Sequence, residues 1–353
     1  MNKKQLYFLI SFAFILLISI NIFYFFYLKE QVSLLYYGNS DVWFKELVYK
    51  LYPQFEVEKH RFNLSFFLEK SLQVIFRFDL FSFLLLSSFL FIKDKISFFE
   101  QEKNMRNENY WRIGYYGFVL IVSYDWFESL ILLENIRSFF HPISFLKVFS
   151  TMPSLFTNLS IYILMVLSAL ACIFNYKPRF FSWICITCFL FIHALFCSFE
   201  KMNHVFTTFI YVGLLFPFSF YSKTSWNIQL LKIAIVLTYF FAGTEKLLVS
   251  HFSWLNPITF KAYLSLHQAP LGMWVAENTF LCTILPIGAL LFQLTFFIIL
   301  FIPKLTKWYI LGGFIFHWGT TLLFGISWFM NPWLMPYIFF LNFEKISLWI
   351  ENK

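Results

Sequence analysis

Apolar stretches of about 20 residues, the length of helix that crosses a hydrocarbon layer, recur along the chain. They fall at 5–28, 72–92, 112–132, 157–175, 178–198, 203–221, 228–249, 279–302 and 306–328, with a shorter one at 333–343. This spacing predicts an all-α, polytopic membrane bundle of about nine or ten spans, with no soluble domain of useful size. The first run starts behind Lys3 and Lys4 and continues to Leu28 without a small-residue cleavage site, so it reads as a retained first helix. The stretch 29–71 is long and mixed. Within it Trp43, Phe44, Leu47, Val48 and Leu51 recur at helical spacing among Lys45, Glu46 and Lys50, which predicts an amphipathic helix on the membrane surface.

Composition sharpens the picture. The chain is 59% hydrophobic and 13% charged, whereas soluble domains carry about 25% charged residues. Its 54 Phe need no cofactor to explain them, because in lipid aromatic rings cover the outside of a bundle as well as filling it. The net charge of +8 would suit nucleic acid, but Lys and Arg sit in short clusters between apolar runs, as loop charges beside a lipid bilayer do. No nucleic-acid partner is expected. With Lys3 and Lys4 inside, the inner turns hold Lys93, Lys95, Lys103, Arg106 and Arg112, then Lys177 with Arg179, Lys223, and Lys304 with Lys307. Outer loops are poorer, except 29–71, and long loops obey the charge rule weakly.

Ionisable residues inside spans are costly and normally face a bundle interior or a wet cavity. On this topology Arg77 and Asp79, Asp125 and Glu128, Glu200 with Lys201 and His204, and Glu245 with Lys246 all fall in the outer third of their spans. Asp125 and Glu128 share one helix face, and Tyr239, Gly243, Lys246 and Ser250 share another. An outward-opening polar pocket is the simplest arrangement. The plainer alternatives are a snorkelling interfacial Lys246, a structural ion pair for Arg77 and Asp125, and hydrogen-bonded structural histidines at His204 and His317. The five Cys lie in or beside apolar runs, so Cys185 and Cys188 read as packing residues despite their C-x-x-C spacing. Metal-binding histidine pairs, P-loops, Rossmann glycine fingerprints and G-x-S-x-G elbows are absent from the sequence.

One segment is more specific. Tyr239-Phe-Phe-Ala-Gly-Thr-Glu-Lys-Leu247, with Trp254 beyond it, resembles the Y-F-x-A-G-x-K-K-L segment and following Trp of vitamin K-dependent γ-glutamyl carboxylases. Phe199-Glu-Lys-Met-Asn-His204 is similar to that family's stretch ending in Asn-Asn-His, with Asn203 and His204 at matching positions. In order and spacing, residues 112–343 resemble the membrane portion shared by those carboxylases and the HTTM (horizontally transferred transmembrane domain) group of bacterial proteins. Residues 1–111 form an N-terminal extension and 344–353 a short tail.

The resemblance implies that Lys246 acts as the base that deprotonates vitamin K hydroquinone and that His204 assists the resulting anion; Tyr239, Glu245 and Asn203 lie in the matching segments as supporting residues, and Asp125, Glu128 and Arg77 join them from the outer-third polar cluster. It also implies a quinone or hydroquinone as cofactor or substrate, a small peptide as a further substrate class, a separate partner subunit, and a bacterial inner (plasma) membrane location. Two departures matter. Glu245 stands where the family has the first Lys of its pair, and the family's large soluble substrate-binding domain has no counterpart before Lys353. Glutamate carboxylation by this chain alone is therefore not expected. Two other functions fit the same bundle: a non-enzymatic factor for maturation or export of a secreted peptide, and a transporter using the outer polar cluster as a vestibule.

Overall fold

The apolar runs fold as helices, because in lipid a helix satisfies every backbone N–H and C=O within its own segment. The computed structural model describes residues 3–52, 55–91, 104–199, 204–325 and 332–344, and all regular elements among them are helical. Among the described residues, six helical stretches are long and apolar enough to cross a membrane: Ser11–Tyr37, Met105–Phe139, Leu155–Ile173, Pro178–Cys197, Trp226–Val249 and Thr279–Leu300. Thr207–Phe220 is a shorter apolar helix. The chain divides into two units, residues 1–96 and 97–353.

In the first unit, α1 (Lys3–Phe23) continues through a π-helical turn, Tyr24–Leu28, into α2 (Lys29–Tyr37). Gly38 ends this rod at φ 84°, where its N–H and that of Asn39 close on the carbonyls of Leu35 and Leu34. The amphipathic segment forms α3 (Val42–Leu51), which buries Phe44 and exposes Val42, Trp43 and Leu47. After α4 (Phe55–Lys59) comes α5 (Leu64–Phe91), longer than the 72–92 run and packed on α1 and α2. Leu35, Phe44, Phe55 and Phe67 make a small apolar core.

The second unit begins with α6 (Met105–Leu133), capped by the Asn104 side chain, and continues with α7 (Leu155–Ile173) and α8 (Pro178–Cys197). These three pack side by side. Arg112 is buried and donates to the carbonyls of Cys172 and Ile173 in the last turn of α7, the Cys172 carbonyl also accepting from the Asn175 N–H. α9 (Thr207–Leu215) runs on as 3-10 helix to Phe220, and α10 (Trp226–Ser250) returns antiparallel beside it. Then follow α11 (Pro257–His267), α12 (Pro270–Ala276), α13 (Thr279–Thr295) and α14 (Thr306–Phe324). All five cysteines are free and buried.

α10 is the central element: α9, α13 and the 3-10 segments Phe216–Phe220, Phe296–Leu300 and Met335–Phe340 all pack on it. The core is unusually aromatic, with Tyr115, Tyr116, Phe189, Phe209, Phe216, Tyr239, Phe296, Tyr337 and Phe339 almost completely enclosed. Outward, Phe26, Tyr124 and Phe156 are about four-fifths exposed, as lipid-facing side chains are.

The final apolar segment departs from its expected form as a short last span. It folds as the 3-10 helix Met335–Phe340, whose six residues extend only about 12 Å at roughly 2.0 Å per residue. Pro336 at its start withholds a backbone donor. The segment plugs the core, with Trp111 Nε1 donating to the Ile338 carbonyl at 2.8 Å.

Gly313 on α14 lets this plug seat, since a Cβ there would collide with the Tyr337 hydroxyl. Gly313→Ala should therefore lower stability by about 1–3 kcal/mol through overpacking. Thermal unfolding of the detergent-solubilised protein measures this, and an unchanged midpoint would count against the seating of Tyr337.

Candidate functional site

The site is built on one face of α10. Positions 239, 243 and 246 follow one another at three- and four-residue spacing, so they share a face, and that face meets α13. Gly243 permits the approach: a Cβ added there would stand 3.0 Å from Leu294 Cδ2 and 3.1 Å from Gln293 Cβ. Close packing brings Gln293 under the lysine. Lys246 Nζ donates to Gln293 Oε1 at 3.0 Å and to the Ala242 carbonyl at 3.2 Å, and it stands 5.4 Å from the centre of the Trp254 ring. Trp254 comes from the 3-10 turn His251–Leu255 that directly follows α10. Its indole N–H is buried and, among the described residues, has no hydrogen-bond partner.

One turn pair deeper, the Tyr239 hydroxyl lies 2.6 Å from His317 Nε2 and 2.5 Å from the Tyr337 hydroxyl. One arrangement satisfies all three groups: Tyr337 donates to Tyr239, which donates to an unprotonated His317 Nε2. The Tyr239 ring is stacked on Phe296 at 4.6 Å, and His317 is stacked on Trp333 at 6.1 Å. This links α10, α14 and the C-terminal 3-10 segment through polar atoms that are all buried.

The other residues singled out by sequence lie as follows. Glu245 is half-buried beside Lys246, about 100° round the helix. Among the described residues, no carboxylate stands within ion-pair distance of Lys246. Asp125 and Glu128 are exposed on α6. Asp125 lines a cavity of about 600 Å³ together with Ser129, Asn135, His193, Cys197 and Phe206, and Lys246 and Glu128 are not in its lining. Arg77 belongs to α5 in the first unit. His204 opens the 3-10 turn His204–Phe206 ahead of α9, and its side chain lies outside the described residues, as does Asn203 altogether. Asn227 Nδ2 at the start of α10 donates to the Leu215 carbonyl at the end of α9, which joins the two helices there.

Sequence reasoning passed over Gln293, Tyr337 and His193. His193 contacts Cys197, four residues on, with Nε2 3.8 Å from Sγ, and a roll of every intramembrane histidine would have flagged it. For Gln293, the signal was a lone amide in an apolar run.

Comparison with known families adds one finding. Residues 218–345 match the HTTM domain. The match spans just over a third of the chain. Within this HTTM-matching segment lie Tyr239, Gly243, Lys246, Trp254, Gln293, Gly313, His317 and Tyr337, so both polar groups on α10 belong to it. The Asp125 cavity and His204 lie before it. No curated protein and no solved structure matches the chain.

Tyr239→Phe keeps the ring and removes the shared hydroxyl. It should cost about 1–3 kcal/mol, because the Tyr337 hydroxyl and His317 Nε2 lose their common partner in a buried setting. A thermal unfolding midpoint equal to that of the unmodified protein would show that these groups do not depend on Tyr239.

Proposed function

We propose that the chain is a multi-pass HTTM-type membrane enzyme, with a bundle like that of the vitamin K-dependent carboxylases, that removes a phenolic proton from a hydroquinone-type lipid at Lys246. α5, α9 and α14, added to the six helical stretches long and apolar enough to cross a membrane, complete nine spans in this reading. The observation that carries it is the setting of the amine. A membrane lysine kept for structure is normally closed by a carboxylate, whereas, among the described residues, Lys246 has two neutral oxygens and an unpaired indole N–H beside it.

Two acceptors match the two N–H bonds of an uncharged amine, leaving its lone pair for a proton. Gln293 and Ala242 thus orient Nζ, while Trp254 Nε1 can donate to an oxygen of the bound phenol. When the proton moves from that oxygen to Nζ, the Trp254 ring faces the new ammonium charge. A hydroquinone supplies an acidic O–H on a ring that bilayer and aromatic side chains both accommodate. His204 is the group this reading assigns to the oxyanion, following the family resemblance. Asn203, Glu245, Asp125, Glu128 and Arg77 are assigned no step.

The test uses the full chain in membranes. Quinones that co-purify are identified by mass spectrometry, and the reduced form is supplied together with dissolved oxygen as the two-electron oxidant to measure its consumption. Lys246→Ala should lower the rate about 10²–10⁴-fold, the usual contribution of a positioned base, with membrane insertion unchanged. Full turnover in that variant sinks the assignment. A protein that only assists maturation of a secreted peptide would keep its function without the amine.

A further inference from the structure

Where α6 and α10 begin, the second unit holds a separate cavity of about 240 Å³, many times the roughly 10–15 Å³ that one water needs. Its lining is largely polar, with Lys232 as its basic side chain and Glu108 as its acid. Glu108 is already engaged within the protein, so its charge makes no demand on a ligand. Lys232 differs: Nζ lies 5.9 Å from the Phe340 ring and, among the described residues, has no carboxylate within ion-pair distance. Asn227, 1% exposed, also lines the cavity. Its Nδ2 donates to the Leu215 carbonyl at 3.0 Å and to Ser219 Oγ at 2.6 Å, which fixes the side chain. Asn227 Oδ1 is then a buried acceptor with no partner among the described residues, and the buried hydroxyl of Ser225, another lining residue, has none either.

Buried polar atoms cost stability unless something completes them. Here one cation and two neutral oxygens call for partners. Lys232 calls for an anion, Asn227 Oδ1 can only accept and so calls for a donor, and the Ser225 hydroxyl can take either role. A zwitterionic head would bring an ammonium charge with no unengaged carboxylate to meet it. A singly charged anion that also carries hydroxyls answers all three groups. We infer that this cavity binds a phosphate ester of a diol, its phosphate at Lys232 and its two hydroxyls at Asn227 and Ser225.

The order of depth favours a lipid as the source. Ser225 and Asn227 flank the first residue of α10, whereas Lys232 is five residues beyond Asn227, about 7.5 Å along the axis. The two hydroxyl partners are therefore nearer water and the cation nearer hydrocarbon. A phosphatidylglycerol head presents its groups in that order, phosphate next to the acyl chains and glycerol diol outermost. Lys223 lies just before α10, and the Tyr221 hydroxyl donates to the Arg179 carbonyl, so both basic residues sit at this end. The charge pattern assigns that end to the inner leaflet, and such basic residues attract anionic lipid. The inference does not depend on the role of Lys246.

The full chain in detergent, offered phosphatidylglycerol, phosphatidylmethanol, phosphatidylethanolamine or phosphatidylcholine in turn, reports retained lipid by native mass spectrometry. Phosphatidylglycerol should be held about ten-fold more than phosphatidylmethanol, which has the same charge and no hydroxyl, and Lys232→Met should lower that retention about ten-fold. Lys223→Gln, outside the cavity lining, should leave the preference between the two anionic lipids unchanged. Ser225→Ala, a smaller change, should lower phosphatidylglycerol retention in the same direction if Lys232→Met fails to fold. Displacement of the lipid by free glycerol phosphate supports recognition of the head alone, and tight binding of glycerol phosphate with no retained lipid supports the same chemistry from a soluble source. Equal retention of phosphatidylmethanol, preference for phosphatidylethanolamine or phosphatidylcholine, or unchanged retention in folded Lys232→Met overturns the inference.

Discussion

A polar group carried into the hydrocarbon layer has no water to bond with, so it must find a partner inside the protein. Much of this molecule's specific geometry follows from that constraint. Arg112 donates to two carbonyls in the last turn of α7. Asn158 donates to the Pro153 carbonyl, and Asn227 ties α10 to α9. Tyr239, His317 and Tyr337 satisfy one another across three elements. Apolar packing in lipid is weakly directional, since hydrocarbon outside a helix resembles hydrocarbon between helices. The buried polar contacts are what distinguish one arrangement of the bundle from another.

The same constraint explains why α10 carries polar side chains at several depths. A helix packed on several sides can carry polar side chains at many depths, each answered by a different neighbour. Tyr239 is answered by α14 and the C-terminal plug, and Lys246 by α13 and Trp254. Near its start, Asn227 and Lys232 line a further polar cavity. Small residues make these approaches close: Gly243 admits Gln293, and Gly313 admits Tyr337. One helix thus presents two chemically different polar sites, one near each end, on a scaffold otherwise built of aromatic and aliphatic packing.

Much of this was legible along the chain. Hydropathy alone gave the helices, because a 20-residue apolar run has only one good conformation in lipid. The amphipathic spacing of Trp43, Phe44 and Leu47 gave α3, with Phe44 inward. The spacing of Tyr239, Gly243 and Lys246 gave their common face, since helix periodicity is local. The Met335–Phe340 plug was not legible. Its apolar composition suits a span, and Pro336, its short length and the pocket left by Gly313 decide otherwise only in combination.

By itself, the sequence determined that this is a helical membrane protein, where its long helices run, and which lysine stands on a shared face with a buried tyrosine. Those properties depend on composition and on spacing within single helices. Tertiary structure alone decided that Gln293 lies under Lys246, that Tyr337 completes a chain from Tyr239 to His317, and that Asp125 shares a cavity with His193. Each of these joins residues far apart in the chain, and helix–helix register is set by packing and polar satisfaction across elements, which no local pattern encodes.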